Sequence, residues 1–448
     1  MTDSGGLLDS LFIGGPARGW FSDQARLQGM LDFEAALARA EAKAGVIPQA
    51  AIAAIVAECE ATRYDIGALA EATAKAGNPA IPLVKALTAR VAQRNADAAR
   101  YVHWGATSQD VMDTGLVLQL RQAIGGIEAE LARLSSALAD LAQTHRDTPM
   151  VGRTWLQHAL PITFGVKVAG WLDAMERHRQ RLQDMKPRLL VLQFGGAAGT
   201  LAALGDRGLI VSAALAEDLE LGLPAMPWHA ARDRVAEFGT VLGLLVGSLS
   251  KIARDIALLM QTDIGEASEP SGEGRGGSST MPHKRNPVTA AVVLAAGNRA
   301  PQLVAGLLSA MTQEHERGLG GWHAEWMILP ELVQVASGAL THMADTITGL
   351  EVDADHMRAN LDVTNGLIMA EAVMMALGSK IGRLAAHDRI EAASHRAIAE
   401  RRHLRDVLKD DDVVTQHLGG ELDRLFDPLG YIGVAPALVD RVLAARRK

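Results

Sequence analysis

The chain has 448 residues, a formal net charge of −8, and 48% apolar residues of which few are aromatic. That balance supports large cores and favours packed helices over sheets, and the lack of any long basic block excludes nucleic-acid binding as the main task. The lone cysteine, Cys59, excludes an intrachain disulfide, and no secretory leader or bilayer-length apolar run is evident, so a cytoplasmic protein with no membrane partner is expected.

From the N-terminus, Ser22 or Asp23 is placed to cap a helix. Its apolar residues Leu27, Met30, Leu31, Ala35 and Leu37 recur near helical spacing, and it stops at Gly45 ahead of Pro48. Shorter helices follow to about residue 100, interrupted by the Gly-Asn-Pro-Ala-Ile-Pro break at 77–82, and residues 1–110 read as a small helical domain. Long helical patterns then run over 112–146, 161–186, 233–264, 288–313 and 326–350. In the third, Val235, Phe238, Leu242, Leu245, Leu249, Ile252, Ile256 and Leu259 step by three and four, while Val241, Val246, Ala253 and Met260 widen the apolar face. A helix of roughly 32 residues spans about 48 Å, more than one chain of this size covers on every side, so a bundle paired with other subunits is expected. Pro301 and Pro330 predict a kink or break in the fourth and fifth helices. Residues 111–350 read as a central long-helix bundle and 351–448 as a third, smaller helical domain, giving an all-α chain of three domains.

Three stretches concentrate polar chemistry. Residues 270–287 begin with a glycine- and hydroxyl-rich run, which holds neither helix nor strand, and end in His283-Lys284-Arg285-Asn286 between Pro282 and Pro287. A flexible arm leading into fixed cations and an amide donor suits a lid over an anionic substrate, although such runs are more often plain linkers. In Tyr101-Val102-His103-Trp104-Gly105-Ala106-Thr107-Ser108-Gln109-Asp110, the hydroxyls or Asp110 can simply cap the following helix. In Gly152-Arg153-Thr154-Trp155-Leu156-Gln157-His158-Ala159-Leu160-Pro161, Pro161 fits the first turn of a helix, and a lone histidine such as His158 is more often structural than catalytic. No Cys/His cluster has metal-ligand spacing and no dinucleotide fingerprint follows a strand, so neither a metal nor a cofactor is expected.

The string Gly277-Ser278-Ser279-Thr280-Met281-Pro282-His283-Lys284-Arg285-Asn286-Pro287 resembles the signature loop of the fumarase/aspartase superfamily, and the likeness extends over nearly the whole chain. It implies three helical domains, a central long-helix bundle, and a homotetramer whose active sites are shared between subunits. It also implies that Thr107 and Ser108 bind a substrate carboxylate, as in the H-x-G-x-T-S-x-D motif, and that Ser278 is the proton-transfer residue. Lys284 and Asn286 then stabilise the developing aci-carboxylate. Gln157 and Arg317 are expected to hold carboxylates, and Arg153, Trp155, Ser279 and His323 complete the substrate-binding set. His103 and His158 serve as binders or rival proton carriers. Where related lyases have Gly-Arg-Thr-His, this chain has Gly-Arg-Thr-Trp, and an indole is neither acid nor base near neutral pH. The stretch His315-Glu316-Arg317, followed by glycines, Trp322, His323, Glu325 and Trp326, likewise lacks the serines and last arginine that hold a nucleotide phosphate in adenylosuccinate lyase.

Superfamily members cleave a C–N or C–O bond β to a carboxylate. An amine or hydroxyl leaving group needs a proton, whereas a carboxylate leaving group does not. Cycloisomerisation of a carboxymuconate is this chemistry reversed: one carboxylate adds to the substrate's own double bond, and one proton goes to the carbon beside another carboxylate. These versions of the motifs resemble the bacterial 3-carboxymuconate cycloisomerase branch. The resemblance implies a cofactor-independent closure of 3-carboxy-cis,cis-muconate to 4-carboxymuconolactone, in catabolism of aromatic compounds. Rival readings are a cycloisomerase for the sulfonated muconate, an adenylosuccinate lyase-type C–N lyase, and an inactive structural homologue like the crystallins recruited from this superfamily.

Overall fold

The computed structural model describes residues 6–14, 17–272, 276–277, 281 and 283–446. The chain is predominantly α-helical, with two small two-stranded sheets. It divides into two compact units, Met1–Leu131 with His178–Leu249 and Val292–His342, and Ala132–Arg177 with Ser250–Ala291 and Met343–Lys448.

Helix α1, Asp23–Lys43, begins where Ser22 accepts a hydrogen bond from the Ala25 amide at 3.2 Å, the expected cap, and its apolar residues Leu27, Met30, Leu31, Ala35 and Leu37 are all buried. The five long helices are α2, Ser108–Thr144; α3, Phe164–Leu189; α4, Asp233–Leu259; α5, Val288–Ala310; and α6, Gly321–Thr348. Every residue of the α4 seam from Val235 to Leu259 is buried, because an unbroken three-and-four spacing puts them on one face. In the first unit, α1 and α2 touch backbone to backbone at Gly29 and Gly115, where a Cβ on Gly29 would sit 2.7 Å from the Gly115 carbonyl oxygen. Only glycine on both helices permits that crossing.

The helices carrying Pro301 and Pro330 are continuous through these residues, which excludes a break at either. One expectation needs correction. Pro161 does not open a helix: it lies in strand β2, Gln157–Thr163, opposite Val151 of strand β1, Pro149–Thr154, and α3 starts only at Phe164. Helices α4, with 27 residues, and α5 are long and apolar enough to cross a bilayer by length and composition, a test that a core helix of a bundle also passes.

In the second unit, the hairpin of β1 and β2 buries Val151 against Leu361, Ile368, Met369 and Ala372. A separate core of Val373, Leu377, Ile390, Leu404, Val407 and Leu418 holds the C-terminal helices together. Strands β3, Ala267–Ser268, and β4, Glu351–Val352, pair antiparallel beside the start of the 270–287 loop.

Candidate active site

The nominated residues form two groups, one in each unit. In the first unit, Thr107 immediately precedes α2, and the Asp110 carboxylate reaches back to accept from the Thr107 amide at 3.0 Å, the return half of a capping box. Asp110 also accepts from the Gly195 and Gly196 amides at 3.0 and 2.9 Å and meets His229 Nε2 at 2.7 Å, so this acid is committed to structure. The Thr107 hydroxyl accepts from Arg317 Nη1 at 3.0 Å, which brings a guanidinium from 210 residues away to the start of α2. First-turn amides, the half-buried hydroxyl of Ser108 and this cation are thereby gathered at the start of α2.

His103 stands in the left-handed region with φ 59°, and its Nδ1 lies 2.6 Å from the buried Glu34 carboxylate. Burial alone pulls the His103 pKa down, but Glu34 outweighs it and holds the imidazolium above its ordinary value. His323 is exposed and meets Trp322 edge-on and Trp326 at a tilt, with ring centroids 5.5 and 4.5 Å away. Trp322 is buried and donates to Asp113 at 3.0 Å.

Asp113 belongs to a buried ion cluster that sequence reading missed. Arg232 gives Asp113 two hydrogen bonds, at 2.6 and 3.1 Å, and turns its Nε toward Glu325 at 3.0 Å; none of the three is more than 2% exposed on its side chain. Burial works against the Arg232 charge, but the two carboxylates raise its pKa above the usual arginine value. The cluster fixes the first turn of α2 and the first turns of α6, which follow the loop carrying Arg317.

In the second unit, the hairpin turn places Trp155 and Leu156 at φ 52° and 64°, a two-residue turn that normally favours glycine or asparagine. Trp155 is 98% exposed, so the indole at the position of the lyase histidine is held out at the tip. Gln157 is exposed and His158 half-buried, its Nδ1 without a partner among the described residues. Burial, then the Arg153 charge, lower the His158 pKa, which favours the neutral ring. Arg153, expected to bind substrate, instead spends its fork on buried Glu266, with bonds of 2.8 and 2.7 Å, and Asn360 donates to the same carboxylate at 2.8 Å. That network braces the hairpin under His158.

Ser278 and Ser279 lie outside the described residues. Both ends of their loop are pinned. The Glu269 carboxylate accepts the Thr289 and Ala290 amides at 3.0 and 2.7 Å and so caps α5. Glu351 takes the Ser271 amide and hydroxyl on one oxygen, at 3.0 and 2.6 Å, and Arg285 Nη1 on the other, at 2.8 Å. Asn286 donates its backbone and side-chain N–H groups to the Gly276 carbonyl, and the Lys284 side chain is exposed. Arg285 first, then Ser271, pull the Glu351 pKa down to about 2, so this clamp stays charged through the physiological range. Glu351→Gln is expected to lower kcat by about ten- to a hundredfold through misplacement of the loop, with little change in melting because the ion pair is partly exposed. Steady-state kinetics beside thermal melting check this; an unchanged kcat contradicts it.

Glu34, Arg232, Glu266 and Glu351 were not singled out from sequence, and Asp113 was noted only within the polar stretch that follows Asp110. Their partners lie dozens to hundreds of residues away. Among the described residues, one group brings three metal-type ligand atoms together, His387, Asp388 and Glu391, all exposed on one helix. This is ordinary charged helix surface.

A family model described as Lyase matches residues 15–301, and one described as Adenylosuccinate lyase C-terminus matches 366–442. The chain is 61% identical to a 3-carboxy-cis,cis-muconate cycloisomerase of Pseudomonas aeruginosa, over 98% of this chain and 96% of that one. It is 57% identical to the enzyme of the same name from Bradyrhizobium diazoefficiens, over 98% and 97%. The crystal structure of the 3-carboxy-cis,cis-muconate lactonizing enzyme from Pseudomonas putida superposes with a TM-score of 0.94 at 57% identity, covering 98% of this chain and 99% of that one. The chain therefore belongs to the fumarase/aspartase superfamily, in its 3-carboxy-cis,cis-muconate cycloisomerase family.

Proposed function

We propose that the chain closes 3-carboxy-cis,cis-muconate to 4-carboxymuconolactone by intramolecular carboxylate addition and transfer of one proton. The observation that carries this is Trp155: the position that supplies leaving-group chemistry in related lyases holds an exposed indole. A lactone ring oxygen leaves or attacks as a carboxylate and asks for no acid there. The donors gathered at the start of α2, with Arg317, and the cations of the 283–286 segment suit a substrate with three carboxylates. Ser278 delivers the proton, with Lys284 and Asn286 stabilising the aci-carboxylate. Lactonisation requires a donor, and the histidines differ: burial lowers the His158 pKa, whereas Glu34 raises that of His103. His103 is thus the better second candidate.

The working enzyme is a homotetramer with shared sites. Two features support this. In the most apolar window of α5, only 33% is buried within the chain. Leu244, Leu308 and Met327 on the long helices are each at least half exposed, leaving apolar helix surface for other copies to cover. Sedimentation of purified protein tests the assembly, and a stable monomer at working concentration contradicts it.

The substrate is tested by loss of diene ultraviolet absorbance with 3-carboxy-cis,cis-muconate, with the 3-sulfo analogue and adenylosuccinate in parallel. Fast loss with the carboxy compound is expected. Cleavage of adenylosuccinate without muconate closure contradicts the assignment.

A further inference from the structure

Arg26, on the second turn of α1, is a guanidinium in search of an anion. Its Nε is buried with no hydrogen-bond partner among the described residues. Burial lowers its pKa, and only the charge of exposed Asp23 opposes that. The indole Nε1 of Trp326, on α6, is also buried and unpartnered. Both residues line one open cleft of about 260 Å³ within the first unit, walled mainly by Leu27, Ile66, Leu69 and Pro79, with Asp23 and Thr73 also on its lining. A narrower recess of about 30 Å³ continues from Arg26 and Trp326 to Asp113 and Glu325. Those two carboxylates are already committed to Arg232 and leave Arg26 without a bond.

We propose that this cleft is a ligand site for a small monocarboxylate with a flat apolar body. The carboxylate takes Arg26 and the Trp326 N–H, and the apolar part lies against Leu27, Ile66, Leu69 and Pro79. Two buried N–H donors without partners, Arg26 Nε and Trp326 Nε1, each cost stability, and one carboxylate oxygen pair satisfies both. One guanidinium and one N–H between apolar walls are too few donors for a phosphate dianion, which selects the carboxylate. The acids at the inner end repel an anion, so the ligand's charge stops at Arg26. The inference is independent of which substrate is turned over, because neither Arg26 nor Trp326 is among the residues assigned to catalysis or substrate binding.

The probe is benzoate, with benzyl alcohol as its uncharged counterpart, titrated by calorimetry into the full-length protein and into Arg26→Met and Trp326→Phe. One benzoate per chain is expected, with benzyl alcohol at least about tenfold weaker, a gap equivalent to about 1.4 kcal/mol. Arg26→Met should lose at least about tenfold in benzoate affinity, while Trp326→Phe, which keeps a ring and removes the N–H, should lose a few-fold. Without ligand, Arg26→Met should melt no lower than the parent, since it replaces a half-buried cation carrying an unpartnered N–H by an apolar side chain, and muconate turnover by both variants reports an intact fold. Absence of benzoate binding at millimolar concentration, equal binding of benzyl alcohol, or undiminished binding by Arg26→Met overturns the proposal. Should Arg26→Met fail to fold, Trp326→Phe and the benzyl alcohol comparison still decide it.

Discussion

Ser278→Ala is expected to cut kcat by about 10²- to 10⁴-fold, the usual worth of a positioned proton-transfer group, and to leave the melting temperature unchanged. The loop that carries Ser278 ends in Lys284 and Asn286, and Glu269, Glu351 and Arg285 tie its ends to β3, β4 and α5. A serine has a poor pKa for this work and needs nearby positive charge and amides, which the Lys284 end supplies. Near-normal turnover by Ser278→Ala would move the role to His103. In that case kcat/KM should fall as pH rises through the raised His103 pKa, because lactonisation draws on the protonated form. With Ser278 as the donor, no such limb from His103 is expected in kcat. The same sign governs stability: the raised His103 pKa contributes fully below its unfolded value and is lost as pH rises through the folded one.

Arg232→Met is expected to be among the most destabilising single substitutions, by about 3–5 kcal/mol, because it strands two carboxylates, Asp113 and Glu325, in the interior with no cation. Asp113 would keep the indole N–H of Trp322 and the amides of Gln109 and Gln193, at 3.0, 3.1 and 3.3 Å, whereas Glu325 would lose every bond recorded to it. Burial already raises the Glu325 pKa, so without Arg232 it takes up a proton on folding. Stability of the variant should therefore recover as pH falls, in the same direction as the parent's dependence at Glu325 but more steeply, because the opposing Arg232 charge is gone. Denaturant melts of parent and variant at several pH values check the sign and the difference in slope. A loss below about 1 kcal/mol, typical of an exposed pair, contradicts the assignment.

What the sequence made legible follows from range. The α1 cap at Ser22 and the α4 seam are local patterns of spacing, and they fold as read. The hairpin at 149–163 was not legible because its turn is Trp155-Leu156, two residues with Cβ atoms at positive φ where Asn-Gly would have announced it. Pro161 then misled, since proline suits a helix start as well as a strand of a two-stranded sheet. Pro301 and Pro330 are carried within continuous helices, where tertiary packing outweighs a local penalty. Of the site, the residue types were readable from motifs, but their supports were not. Glu34 sits in an ordinary amphipathic helix, and nothing local shows that it meets His103 at 69 residues' separation. Arg153 shows the converse: its motif suggested a ligand to substrate, and its geometry makes it a brace for Glu266.

Turnover of 3-carboxy-cis,cis-muconate in D₂O, followed by NMR of the lactone, tests single-proton closure most directly. One deuterium per lactone is expected, at the carbon beside the carboxylate that receives the proton, with no added metal or cofactor. Absence of lactone, or lactone with no deuterium at that carbon, would contradict ring closure by carboxylate addition with one transferred proton.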